Sequence, residues 1–137
     1  MQIKRIGATI TALLATLAGT ALADATSAAA VGGCDSNQLC LYRSTQFRTM
    51  ALETANRSDC WLLEKYGLTY PWNGISSYVN NLPVNATLYT YDNGWWNTGG
   101  IPSGSLSTDS TSNVYFGFSH YVCTGSATPW SQVLSRN

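Results

Sequence analysis

The stretch Leu39-Cys40-Leu41-Tyr42-Arg43-Ser44-Thr45-Gln46-Phe47-Arg48-Thr49 returns 49 residues later as Leu88-Tyr89-Thr90-Tyr91-Asp92-Asn93-Gly94-Trp95-Trp96-Asn97-Thr98. In both copies a strand-like run ends in Tyr, four mostly polar residues follow, and then come an aromatic, one polar residue and Thr. Each copy is followed by an Asx/Ser-rich stretch leading into a further apolar run: Asn73-Gly74-Ile75-Ser76-Ser77-Tyr78, and Asp109-Ser110-Thr111-Ser112-Asn113-Val114. Self-similarity at this period means two related β motifs that bury their apolar faces against a shared core.

The sequence around the copies has the same texture. Val, Thr, Tyr, Trp and alternating Leu are abundant, and Gly, Asn, Ser and Pro interrupt them every eight to twelve residues or so, as in a β-sandwich or barrel. The clearest strand candidates are residues 39–42, 78–79, 87–91, 114–118 and 121–123. Only 50–56 and 60–65 pass for helical turns, the second with Ser58 as a candidate cap. The fold class expected is therefore all-β, with at most one or two short helical turns.

Ahead of the copies, Lys4 and Arg5 precede an uncharged apolar run over residues 6–22, which ends in small-residue sites at Ala21-Leu22-Ala23 and Ala28-Ala29-Ala30. A cationic region, an apolar region and small residues at the cleavage site make an export signal. Residues 1–23 are read as a signal peptide, with cleavage as late as residue 30 as the other choice, and 31–137 as one exported domain. A monomer is expected, secreted to the extracellular space and without membrane contact once the leader is removed. All four cysteines lie in the exported part, which reads as a disulfide framework. The polar turn between Cys34 and Cys40 can bring these two together, which leaves Cys60 for Cys123. A zinc site would want two close Cys pairs, and the chain has no C-x-x-C unit.

Beyond residue 30 the charges are Arg43, Arg48, Arg57, Lys65 and Arg136 against Asp35, Glu53, Asp59, Glu64, Asp92 and Asp109, a net charge of −1. Such a domain has no basic stripe with which to displace counterions from phosphate, so nucleic acid is not an expected partner. Catalysis is not expected either. The chain has one histidine, His120, no close carboxylate pair and no Gly-x-Ser-x-Gly element.

The spacing Tyr-x-x-x-x-aromatic, followed by an Asx- and Ser-rich loop, resembles the Greek-key motifs of βγ-crystallins. With its leader and Cys-x5-Cys-Leu-Tyr opening, the chain resembles the secreted actinobacterial peptidase-inhibitor family typified by Streptomyces metalloproteinase inhibitor. The resemblance covers roughly residues 34–123. It implies a βγ-crystallin-like Greek-key β-sandwich and a non-catalytic inhibitor of extracellular metallo- or serine-type peptidases. The alternative it leaves is a binding module for calcium or cell-wall carbohydrate, with antimicrobial action. The family's hairpin glycine is replaced by Thr49 and Thr98, with Gly99 and Gly100 available to bend the second hairpin one residue late.

Calcium in crystallin-type modules is held by paired Asx and Ser/Thr residues. The positions carried over are Asn73, Ser76, Asp109 and Ser112, with Trp72 and Thr108 standing where the first Asx of each pair belongs. No other cofactor is implied. Calcium wants six to eight oxygen ligands or so, which makes these loops degenerate, and the same serines can serve to close turns. The typified inhibitor's short disulfide around its binding loop is absent, since no Cys lies between Cys60 and Cys123. Occupying that region are Asp92, Asn93, Gly94, Trp95, Trp96 and Asn97, the candidate partner-binding loop. Neighbouring strand residues face opposite ways. By analogy with Phe47, Trp96 is expected to point inward, leaving Trp95 outside as the anchor for a protein or a stacking platform for sugar.

Overall fold

The computed structural model describes residues 30–134, so the leader lies outside the described residues. Among the described residues, no helix is long and apolar enough to cross a membrane. Within these residues eight strands form two antiparallel four-stranded sheets. The first copy supplies β1 (Leu39–Ser44), β2 (Arg48–Thr54), β3 (Cys60–Leu62) and β4 (Ser77–Asn80). The second supplies β5 (Ala86–Tyr91), β6 (Trp95–Ile101), β7 (Leu106–Ser107) and β8 (Tyr121–Thr124). One sheet has the order β2-β1-β4-β7 and the other β3-β8-β5-β6. Each sheet is thus built from three strands of one copy and the third strand of the other, an exchange that makes the two motifs interdependent.

Alternation along the strands explains the core. Leu39, Leu41 and Leu52 from one sheet meet Ala86, Leu88, Ile101 and Val122 from the other, with Leu63, Leu68, Ile75, Leu82 and Phe116 filling in from the connections. The opposite faces carry smaller clusters. Cys34, Cys40, Tyr42 and Val79 pack with Phe47 and Met50 outside the first sheet, and Tyr89, Cys123 and Ala127 pack with Cys60, Trp95 and Tyr121 outside the second. Each outer cluster contains a disulfide: Cys34 is bonded to Cys40, and Cys60 to Cys123. Cys60 and Cys123 are direct cross-strand neighbours on β3 and β8, so this bond ties a strand of the first copy to one of the second.

The repeat is real, but its spacing is 47 residues rather than 49. Both first hairpins carry a β-bulge, between Leu41 and Tyr42 in β1 and between Leu88 and Tyr89 in β5. Aligned on the bulges, Leu41 corresponds to Leu88, Tyr42 to Tyr89 and Leu52 to Gly99, each 47 apart. Tyr42 and Tyr89 are the equivalent buried tyrosines, whereas Tyr91 takes the place of Ser44 and is exposed.

Three local expectations are also corrected. Residues 114–118 form a helix, α1 (Val114–Phe118), not a strand. The Asn113 side chain accepts the Tyr115 N–H at 3.1 Å and caps its first turn, and of the five residues only Phe116 is buried, stacked on Tyr78. Most of 50–56 belongs to β2, because Met50 and Leu52 pair with β1. Cys60–Leu62 is strand, and the helical turn is a 3-10 turn over Leu63–Tyr66, stopped by Gly67 in left-handed conformation (φ 66°). The remaining helical pieces are a 3-10 turn at Val31–Gly33 and α2 (Pro129–Leu134).

Candidate functional site

The β5–β6 hairpin closes through Asp92-Asn93-Gly94. Asn93 has φ 52° and Gly94 φ 144°, so the bend is made by these two residues and not by Gly99 and Gly100. Asn tolerates the left-handed region, and Gly reaches both without steric cost. Gly99 and Gly100 lie within β6, paired with Leu88 and Thr87, and the Asn97 side chain accepts the Gly99 N–H at 3.1 Å. What projects is therefore a three-residue turn on a paired ribbon.

The two tryptophans stand opposite to expectation. Trp95 pairs with Tyr91 on the outer face of the sheet, where it meets Tyr91 and Tyr121 edge-on at centroid distances of 5.0 and 5.2 Å. Trp96 faces the other way, beyond the end of the core, and is 62% exposed. The cause is the register. The counterpart of Phe47 is Gly94, and Trp95 and Trp96 correspond to Arg48 and Thr49. Phe47, at the first turn, packs edge-on against Tyr42 at 5.6 Å. In the second copy that side chain is missing, and Trp95 covers the outer cluster from the strand instead.

Although exposed, the Trp96 indole is held in place. Its Nε1–H donates to the Asp92 carbonyl at 2.8 Å, across the turn, while the Asp92 N–H donates to the Gly94 carbonyl at 2.9 Å. Asn93 donates to the Asp92 carboxylate at 3.4 Å. At the base of the ribbon, Tyr91 N–H donates to Nδ1 of His120 at 3.2 Å and His120 N–H to the Tyr89 carbonyl at 2.8 Å. Asp92, Asn93, Gly94 and Trp96 are thus bonded to one another across the turn, Trp95 buttresses it from behind, and Asn97 lies in β6, paired with Tyr89.

The residues considered for calcium are divided differently. Ser76 N–H donates to the Tyr42 carbonyl just as His120 N–H does to that of Tyr89, so the structural counterpart of Ser76 is His120 and not Ser112. The Ser76 hydroxyl donates to the Arg43 carbonyl at 2.8 Å, and Ser77 donates to that of Ser44 at 2.7 Å while accepting the Phe47 N–H. These serines fasten the first hairpin, as His120 fastens the second. The two Asx/Ser stretches do adjoin through Ser110, which bonds to the Ile75 and Ser76 carbonyls. Asn73, Asp109 and Ser112 are exposed. Asp109 accepts from the N–H and the hydroxyl of Thr111, bonds that lower its pKa below the usual carboxylate value. Among the described residues, no three of His, Cys, Asp and Glu come together, and the set offers a single carboxylate where calcium wants many oxygens.

Residues 27–101 match the model of peptidase inhibitor family I36. The match spans more than half of the chain, all of the first copy and the β5–β6 hairpin of the second. The chain belongs to this family. It was the family expected from the cysteine opening and the tyrosine hairpins, and membership makes a peptidase the partner of the I36 chain. No curated protein and no solved structure matches it. The matched region ends at Ile101, the last residue of β6, so the whole tryptophan hairpin lies inside it.

What sequence reasoning missed is the part His120 plays in fastening the second hairpin. Its signal was legible only in space, since a lone histidine next to a tyrosine strand carries no motif.

Proposed function

We propose that the chain is a secreted, non-catalytic inhibitor of extracellular peptidases, with the turn at residues 92–97 as its contact and Trp96 as the residue that enters the enzyme. The observation that carries this is the pinned indole of Trp96. A protein inhibitor gains affinity when the ordering of its contact loop is already complete before binding. Here the most prominent side chain of the hairpin is exposed yet bonded across its own turn, on a ribbon that is fully paired and backed by Trp95. An aromatic ring on a fixed backbone is the type of group that forms an interface anchor.

Export is supported by the leader-like residues 1–23 and by two disulfides, which persist outside the reducing cytosol. The strand order, with each third strand exchanged between sheets, supports reading the halves as a pair of Greek keys of the βγ-crystallin kind. Nothing in this reading depends on calcium. Titrating the purified secreted protein against a thermolysin-like metallopeptidase and a subtilisin-like serine peptidase tests it. Stoichiometric inhibition of one class is expected, and full activity of both at micromolar inhibitor would contradict the reading.

A further inference from the structure

A second site lies apart from the hairpin tip, where the 3-10 turn, α1 and β5 meet. A cleft of about 390 Å³ is lined by Glu64, Thr69, Tyr70, Thr90, Phe118 and His120, within the size range of small-molecule sites. Tyr70 and Phe118 form its aromatic wall. Their rings lie nearly parallel, 19° apart with centroids at 6.1 Å, yet they are 70% and 58% exposed. The Tyr70 N–H donates to the Gly117 carbonyl at 3.0 Å, which fixes the two ring-bearing segments to each other. A paired and exposed aromatic surface of this kind contributes nothing to the core.

The polar side of the cleft is chemically defined. His120 Nδ1 accepts the Tyr91 N–H, so the neutral ring carries its hydrogen on Nε2 and offers a donor of fixed direction. Glu64 offers a carboxylate acceptor. Among the described residues, neither Nε2 nor that carboxylate bonds within the chain. A fixed N–H donor disfavours a cation at the same point, and the carboxylate disfavours an anion. What satisfies a donor, an acceptor and an aromatic face together is a neutral ring bearing hydroxyls, with its C–H face on the aromatic wall.

We propose that this cleft binds a neutral saccharide unit of an extracellular polysaccharide, independently of peptidase inhibition. Phe118 and His120 lie beyond the residues that match the inhibitor family.

The test is co-sedimentation of the secreted protein with insoluble chitin, cellulose and peptidoglycan. Alongside it, tryptophan fluorescence is titrated with chitotetraose and cellotetraose, since Trp72 lies two residues from Tyr70. Binding to at least one glycan is expected. Tyr70→Ala and Phe118→Ala should each weaken it about tenfold or more, the loss of a good aromatic contact, while Phe118→Tyr and Trp96→Ala leave it unchanged. Circular dichroism and thermal melts show that the variants are folded, and peptidase inhibition by Tyr70→Ala and Phe118→Ala should match the parent. Binding to none of the glycans would overturn the proposal, as would binding that both alanine variants retain. A loss of peptidase inhibition in these variants without a loss of glycan binding would assign the cleft to the peptidase and overturn it equally.

Discussion

Tyr42 shows how much one buried side chain does here. It lies fully inside the outer cluster of the first sheet, and its hydroxyl donates to the Gly32 carbonyl at 3.1 Å. Burial, with a smaller contribution from the charge of Glu53, raises its pKa above the usual tyrosine value. A raised folded-state pKa means that its contribution is complete below the unfolded value and is lost as pH rises through the folded one. Tyr42→Phe should therefore cost about 1 kcal/mol near neutrality, and this difference from the parent should shrink above pH 10 or so. Urea unfolding of both proteins at pH 8 and pH 11 measures it. With no free cysteine among the described residues, thiol exchange does not confuse the alkaline measurement. Asp109 has the opposite sign. Its lowered carboxyl means that the 109–111 turn is supported above the unfolded carboxylate value and loosens as pH falls through the folded one. Thr111→Val should move the Asp109 titration upward in an NMR pH series.

Among the elements, the hairpins carry most of the meaning, and they show where sequence reading stops. The strands β1, β4, β5 and β8 were legible because alternation and turn residues specify them. The register was not. Tyr89 and Tyr91 are two residues apart, and a slip of two leaves every side chain on its original face, so hydrophobic pattern cannot tell 47 from 49. The bulges that settle it are set by pairing across the sheet. The slip matched Phe47, a turn residue at φ 54°, with Trp96, a strand residue, so the direction of the Phe47 ring did not carry over to Trp96. Helix α1 failed for a different reason: Val-Tyr-Phe-Gly-Phe favours strands by propensity, but the Asn113 cap and the burial of Phe116 on Tyr78 override it in so short a segment. Gly94 tests the hairpin directly. At φ 144° a side chain is strained whatever the free space around it, and Gly94→Ala should cost about 1–3 kcal/mol of stability in chemical denaturation.

For the whole molecule, the exchange of third strands means that neither copy completes a sheet alone. The Cys60–Cys123 bond reinforces this arrangement, since it spans 63 residues and joins the two copies, whereas Cys34–Cys40 closes a separation of only 6. On the chain-entropy estimate, replacing the first pair by serine should cost about 4 kcal/mol and the second about 2, and thermal unfolding of the two double variants would rank them. A scaffold stapled in this way holds the tryptophan hairpin still at one end of the second sheet. The most direct check of that role is the inhibition constant of Trp96→Ala against whichever peptidase the parent inhibits. Loss of a central aromatic anchor should raise it about thirtyfold or more, as for a 2 kcal/mol hot spot, with an unchanged melting temperature. An inhibition constant equal to that of the parent would place the contact elsewhere and contradict the account.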